Sequence, residues 1–455
     1  MDPLGLAQIA AITGGRLAGE EPAAPVHDVA LDSRRAGPGS LFVALPGARA
    51  DGHDFAADAA GRGAVAMLGQ RPVAALPTVV VADPAAALAA LGAECRRRSP
   101  ARLVAVTGSN GKTTVKDLLA SMLGELGPTL ATEGNRNNLL GVPETLCRLG
   151  AEHRYAVIEL GANAPGEIAQ LTAWAHPDVG VVTNAGPAHL AGFGSVAGVA
   201  RVKGELFEGL ARDSVAVINA DDDFCGLWRE LAGARRCLTF GADSGQIRYR
   251  GHARRLELDL GSGWMAAPTP LLGAHNAGNV AAAAACACAV AAPPSAILSA
   301  VAAARPVPGR LQLRPGCHGG WVIDDTYNAN PGSLRAAIDV LRELDGPAWL
   351  LLGSMGELGA ESAPWHRRAG EQARAAGVAR LWTVGDAAAP AAEAFGPGGR
   401  SFPDHQALIE ACAAELTADA AVLIKGSRSA AMERVARALV VEDPEQGRSS
   451  RCSTT

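Results

Sequence analysis

Residues 104–114 read Val104-Ala105-Val106-Thr107-Gly108-Ser109-Asn110-Gly111-Lys112-Thr113-Thr114. An apolar run, a glycine-rich turn and the start of a helix follow one another, which is the setting a phosphate-binding loop needs. Glycines let backbone amides turn inward around a phosphate, and the helix N-terminus adds partial positive charge. Gly108, Ser109, Asn110, Gly111, Lys112, Thr113 and Thr114 are therefore the candidate phosphate-binding residues. Lys112 would reach the β/γ-phosphates and Thr113 would present its hydroxyl to a magnesium ion, so ATP and Mg2+ are the expected cofactors. The usual pattern has a further glycine where Val106 stands here, and Gly108 supplies the flexibility inside the loop.

Working outward, the strand-then-helix alternation recurs. Leu103–Val106, Tyr155–Ile158, Val179–Val182 and Ser214–Ile218 are apolar runs separated by helical stretches. Such alternation predicts a mainly parallel sheet with helices on both faces. A helix is expected from Asp83 to Arg98, with Asp83 as N-cap and Pro84 at the first helical position. Residues 236–270 read as β-rich, an antiparallel extension of that sheet. Upstream, Leu41–Leu45 and Thr78–Val81 alternate with alanine-rich helical stretches. Downstream, Pro306-Val307-Pro308-Gly309 interrupts helical periodicity. Beyond it Trp321–Ile323, Ala348–Leu352, Arg380–Val384 and Ala421–Ile424 resume the alternation.

The expected fold class is α/β in three domains. They are a small N-terminal α/β domain over 1–82, a central P-loop mononucleotide-binding domain with a mainly parallel sheet over 83–308, and a C-terminal Rossmann-like α/β domain over 309–455. The length of 455 residues agrees with three domains of about 150 residues each. The polar tail from Asp443 to Thr455 is expected to fray.

Composition narrows the class. Hydrophobic residues make up 48% of the chain, enough for buried cores and far from the make-up of a disordered chain. The net charge of −5 argues against a nucleic-acid partner. The longest apolar stretch, Val280 to Ala292, is shorter than the ~20 residues of a membrane helix, so no membrane insertion is expected. Met1 to Ala10 has neither the basic start nor the apolar core of a secretory signal. Nine cysteines are scattered without metal-type spacing, and Cys286 and Cys288 read as small side chains in an alanine-rich run, which fits a reducing cytoplasm. Of the 41 cationic residues, only Lys112, Lys116, Lys203 and Lys425 are lysines. A lysine that persists in so arginine-rich a chain is a candidate for work that a guanidinium cannot do, because it can react as a free amine. Lys116 reads as the exception, a chance survivor. The Asn-Lys-x-Asp signature of GTPase switches is absent.

Further motifs follow the phosphate loop in order. They are Thr132-Glu133-Gly134-Asn135-Arg136-Asn137-Asn138, Ile158-Glu159-Leu160-Gly161-Ala162-Asn163, Thr183-Asn184-Ala185-Gly186-Pro187-Ala188-His189 and Lys203-Gly204-Glu205. Next come His275-Asn276-Ala277-Gly278-Asn279, Pro308-Gly309-Arg310 and Asp324-Asp325-Thr326-Tyr327-Asn328-Ala329-Asn330-Pro331. This ordered set resembles the Mur ligase family of ATP-dependent peptide synthetases over nearly the whole chain. Asp32-Ser33-Arg34, Gly52-His53-Asp54-Phe55, Gly353 to Gly359 and Lys425-Gly426-Ser427-Arg428-Ser429 resemble the branch that joins D-alanyl-D-alanine to UDP-N-acetylmuramoyl-tripeptide. The Asp-Asn-Pro-Arg motif of the branch that adds diaminopimelate or lysine is absent. Leu139 and Ser354 stand where the family carries acidic residues.

The resemblance implies an amide ligase working through an acyl phosphate, with those two substrates as partners. The scattered cysteines place it in the cytoplasm, and a monomer with mobile domains is expected because inter-domain interfaces of this kind are often small. The resemblance also implies catalytic roles for Lys112, Glu159, His189, Lys203 and Arg310. Glu159 and His189 would hold Mg2+ with Thr113, and Lys203 resembles the lysine that is carbamylated in this family. Asn276 and Asn279 would meet the adenine, Arg310 would clamp the γ-phosphate, Asp324 or Asp325 would hold the ribose, and Tyr327 and Asn328 would border the nucleoside. Ser33, Arg34 and His53 would hold the uridine diphosphate in the first domain. Asn137, Asn138, Asn330, Lys425, Ser427 and Arg428 complete the substrate set. A folylpolyglutamate synthase-like ligase and a non-catalytic nucleotide-binding protein are the competing expectations.

Overall fold

The computed structural model describes residues 1–47, 50–187, 190–356 and 358–441. The tail from Asp443 lies outside them. Three sheets follow one another along the chain. The first has five strands in the spatial order Arg16–Ala18, Thr78–Val80, Ala64–Gly69, Ser40–Val43, Asp28–Ala30, parallel except for Arg16–Ala18.

The central sheet has nine strands. Thr129–Ala131, Tyr155–Glu159, Arg102–Thr107, Val179–Val182, Val215–Asn219 and Arg236–Gly241 lie side by side and parallel. Ile247–Arg250 is parallel as well, overlapping the end of its neighbour by two residues, so that no crossover helix is needed. Only Glu257–Asp259 and Trp264–Ala266 turn antiparallel. The β-rich extension expected over 236–270 is thus antiparallel only in its second half.

The third sheet has six strands. Trp321–Asp325, Ala421–Lys425, Ala348–Leu352, Arg380–Val384 and Gly399–Phe402 are parallel, with Gln312–Pro315 antiparallel at the edge.

Side-chain alternation explains the layers. Along Arg102–Thr107, Val104 and Val106 enter one core with Leu119 and Val280, while Leu103 and Ala105 enter the opposite core with Ile168, Leu206 and Trp228. A strand buried on both faces belongs inside a parallel sheet.

Five helices place the chemistry. Helix α1, Pro84–Arg98, starts as the sequence predicts: the Asp83 carboxylate accepts from the amides of Ala85 and Ala86. Helix α2, Lys112–Gly124, follows the phosphate loop, and α3, Val196–Gly209, carries Lys203. Helix α4, Ala274–Ala289, is buried from Val280 to Ala287, which is why that stretch is apolar all round. Cys286 is buried within it and Cys288 half-buried. Helix α5, Pro331–Leu341, begins in the third unit with Asn330 as its N-cap. No helix among the described residues is long and apolar enough to cross a membrane.

Candidate functional site

The phosphate loop adopts a shape that only its own residues permit. Gly108 has φ 143° and Gly111 has φ 82°. A Cβ on Gly108 would lie 2.0 Å from Thr183 Oγ1, and one on Gly111 would lie 2.1 Å from Asn279 Oδ1. Between them the Asn184 side chain holds Asn110 at both ends: the Asn110 amide donates to Asn184 Oδ1 (3.0 Å) and its carbonyl accepts from Asn184 Nδ2 (3.1 Å). Thr183 Oγ1 donates to the same carbonyl at 2.6 Å. Lys112 Nζ donates to the carbonyls of Gly108 (2.7 Å) and Ser109 (3.3 Å).

A cavity of about 770 Å³ opens above this loop. Its wall on the central side is Ser109–Thr114 with Asn276 and Asn279, and on the other side Arg310, Asp325, Tyr327–Asn330 and Lys425. The carboxyl ends of parallel strands from two sheets therefore face one space, the usual place for a ligand in α/β proteins. Leu118, Leu271, Ala300, Ala303 and Ala304 add apolar surface to the lining. Asn276 and Asn279 are hydrogen-bonded to each other (2.8 Å), and Asn276 also donates to the Leu272 carbonyl.

Beside the loop, Glu159 is buried at the end of its strand. Its Oε2 accepts from Thr113 Oγ1 (2.9 Å) and its Oε1 from Asn137 Nδ2 (2.7 Å). The Glu159 amide donates to Thr132 Oγ1, and the Thr132 carbonyl accepts from Lys116 Nζ, each at 2.9 Å. Lys116 is thus buried and specifically bonded rather than a chance survivor. Lys203 is also buried, and burial, followed by the nearby charge of Lys112, brings its ammonium down to a pKa of about 7.

From the third unit, Arg310 Nη2 donates to Thr113 Oγ1 at 3.2 Å, and its guanidinium lies 4.3 Å from the centre of the Tyr327 ring. Its buried Nε–H has no hydrogen-bond partner among the described residues. Asn330 Nδ2 donates to Asn110 Oδ1 at 2.9 Å. Strand alternation separates the two aspartates. Asp325 lines the cavity and pairs with buried Lys425, whereas Asp324 accepts from the hydroxyl and amide of Thr326.

Not every expected residue joins this constellation. His189 lies outside the described residues. Ser427 and Arg428 are not in the cavity wall: Ser427 is buried against Ser429, and Arg428 leans towards Glu433. Lys425 also donates to the Asn328 carbonyl, so it stands as a buried tie on the cavity floor. Asn138 turns its side-chain oxygen onto the amides of Leu140 and Gly141 just ahead of a short helix. In the first unit Ser33 is buried and bonded to Asp58, and exposed Arg34 forks onto Asp32. His53 is buried with both ring nitrogens engaged, Nδ1 with Asp51 (2.6 Å) and Nε2 with the Gln70 amide (3.0 Å), so it secures its own turn instead of facing outward. Thr183 and Asn184 were legible as a motif, yet only the fold shows that they hold the loop.

The donor set suits a nucleotide and a hard cation. A Thr hydroxyl and a carboxylate lie side by side, and Mg2+ takes few protein oxygens besides phosphates and water.

Comparison with known proteins covers the same three units. Residues 25–107 match the Mur ligase family catalytic domain, 106–287 the Mur ligase middle domain, and 309–428 the Mur ligase glutamate ligase domain. The chain belongs to the Mur ligase family. It is 43% identical over 444 residues to a UDP-N-acetylmuramoyl-tripeptide–D-alanyl-D-alanine ligase of Escherichia coli strain K12, covering 95% of this chain and 98% of that one. A crystal structure of MurF from Acinetobacter baumannii superposes with a TM-score of 0.89 at 34% identity, over 96% of this chain and 98% of that one. A MurF ligase from Thermotoga maritima in complex with ADP gives 0.81 at 28% identity, over 91% and 97%. This Mur ligase chain thus carries the three-unit α/β architecture along its length.

The buried Lys116 tie is testable by itself. Lys116→Met keeps the stem but leaves the Thr132 carbonyl without its donor, so it is expected to destabilise the central unit by about 1–3 kcal/mol. Urea denaturation followed by tryptophan fluorescence measures this, and an unchanged midpoint would show that the tie carries no weight.

Proposed function

We propose that the chain is an ATP-dependent amide ligase, acting as a cytoplasmic monomer. It joins D-alanyl-D-alanine to UDP-N-acetylmuramoyl-tripeptide and gives the UDP-linked pentapeptide used in peptidoglycan synthesis. The observation that carries this reading is the full-length likeness, at 43% identity, to the Escherichia coli ligase of that name. The cavity between the central and third units agrees with it.

Amide formation from a free carboxylate needs a leaving group better than oxide. The substrate carboxylate attacks the γ-phosphorus of ATP, ADP departs, and an acyl phosphate forms. The dipeptide amine then attacks the acyl carbon, inorganic phosphate leaves, and the amine gives up a proton. Negative charge accumulates throughout, so fixed donors and cations aimed at it lower the barrier. The amides of Gly108–Thr114 and the Lys112 ammonium would surround the β/γ-phosphates. Arg310, already within reach of Thr113 and with an Nε–H that has no partner among the described residues, would meet the γ-phosphoryl group from the opposite side.

Thr113 and Glu159 would hold Mg2+, with His189 as a further ligand. When bound, the ion supplies charge neutralisation on the phosphates. Asn137 orients the Glu159 carboxylate. The nucleoside would lie between Asn276, Asn279, Asp325, Tyr327 and Asn328, and the first unit, through Ser33 and Arg34, would hold the uridine diphosphate. Lys203 would act as a carbamate: its neutral amine adds CO2 and loses a proton, which turns a buried cation into a carboxylate. A pKa near 7 supports this, because an amine must be unprotonated to react.

Phosphate release from MgATP, with UDP-N-acetylmuramoyl-tripeptide and D-alanyl-D-alanine omitted in turn, tests the reading. Release requiring both, with a product of pentapeptide mass, is expected; release with tripeptide and another amine would move the chain elsewhere in the family. Lys203→Ala should lose most activity and regain part of it with added short carboxylic acids. In CO2-depleted buffer the wild-type protein should lose activity more steeply below pH 7, where the lowered pKa leaves the ammonium dominant. Full activity of Lys203→Ala would remove the carbamate. Arg310→Ala should lower kcat by about a hundredfold or more while ATP affinity changes by less than about tenfold. A collapse of ATP affinity would make Arg310 a ground-state binding residue.

A further inference from the structure

Side-chain hydrogen bonds from Arg310 to Thr113 and from Asn330 to Asn110 join the phosphate loop to the third unit. Arg310 to Thr113 carries charge, whereas Asn330 to Asn110 joins two neutral amides. The neutral pair is built with some care on both sides. Asn330 spends its oxygen on its own helix: Oδ1 accepts from the Ser333 amide (2.8 Å), and Ser333 Oγ accepts from the Asn330 amide (3.1 Å), a reciprocal cap for α5. Its Nδ2 is left to cross the cavity. On the other side the Asn110 backbone is clamped by Thr183 and Asn184, which leaves its side-chain oxygen pointing at Asn330.

The approach is close. A Cβ on Gly332, in the first turn of α5, would lie 3.8 Å from Asn110 Nδ2 and 4.0 Å from Pro187 Cδ. Asn330, Gly332 and Ser333 all line the cavity. The positive ends of α2 and α5 therefore face the same space, one from each side.

We infer that Asn330 and Asn110 form a latch that registers the third unit on the phosphate loop. They are positioning residues for the ligation reaction, an inference that rests on the ligase reading. The latch sets where α5 begins and hence where Arg310, entering from the same unit, meets Thr113. Being neutral and made of one hydrogen bond, it is strong enough to bias closure and weak enough to release product.

Asn330→Ser keeps an N-capping oxygen for α5 but is too short to reach Asn110. Asn110→Ala removes the other half of the latch and caps no helix. Both variants, and the double variant, are compared with wild type for the ATP dissociation constant, for kcat with both substrates, and for the radius of gyration by small-angle X-ray scattering with a non-hydrolysable ATP analogue. In each single variant kcat should fall about fivefold to tenfold and the analogue-bound protein should be more expanded than wild type, and in Asn330→Ser the ATP dissociation constant should stay within about twofold. The double variant should be no slower than the slower single one, since both remove one contact. Wild-type kcat in Asn330→Ser, or losses that multiply in the double variant, would overturn the latch. Should the wild-type protein show no ligase turnover, scattering still decides: expansion in Asn330→Ser upholds the latch while the ligase reading falls, and an unchanged radius overturns the latch as well.

Discussion

A carboxylate buried at the end of a central strand has to be hydrogen-bonded, because leaving it unsatisfied in a low-dielectric interior costs several kcal/mol. Glu159 meets that demand with the Thr113 hydroxyl and the Asn137 amide. Three segments are thereby tied to one side chain: the first turn after the phosphate loop, the 132–138 loop, and the strand itself. Arg310 reaches the same hydroxyl, so the third unit is brought into register with the group that organises the central one. The position of the cavity follows from these few bonds.

The four lysines follow a common logic. Lys112 folds over the phosphate loop, Lys116 holds the loop that carries Asn137, Lys203 is buried with its ammonium near neutrality, and Lys425 pairs with Asp325 beneath the cavity. Lys116, Lys203 and Lys425 are buried, where a flexible ammonium with three donors can meet carbonyls and carboxylates that a rigid fork does not fit. In a chain otherwise given over to arginine, those surroundings are a reason for lysine to remain.

Much of this was legible in residue order. The strand, turn and helix around Gly108–Thr114, the parallel core strands and the capped helix at Asp83 each follow from local periodicity and turn chemistry. Roles that depend on where a side chain points were not legible. Asp324 and Asp325 are adjacent in sequence, and only alternation along a strand sends Asp325 into the cavity and Asp324 back to Thr326. His53 and Asn138 sit in motifs that read as substrate contacts, yet the His53 ring nitrogens are spent on Asp51 and the Gln70 amide, and the Asn138 side-chain oxygen on the amides of Leu140 and Gly141. Residues of that kind commonly serve turns and caps, and composition does not tell the two uses apart.

The sequence by itself determined the α/β class, the phosphate loop and the family, because these rest on short-range patterns of apolar period, glycine and capping residues that do not need distant partners. The tertiary structure alone decided that Thr113, Glu159, Asn137 and Arg310 meet, that Asn330 reaches across to Asn110, and that Lys203 is stripped of water. The contacts across the cavity depend on the carboxyl ends of strands from two sheets facing one space, which brings together residues up to 220 positions apart in the chain. Desolvation and hydrogen-bond geometry at such a junction are properties of the assembled fold, and no local stretch of residues carries them.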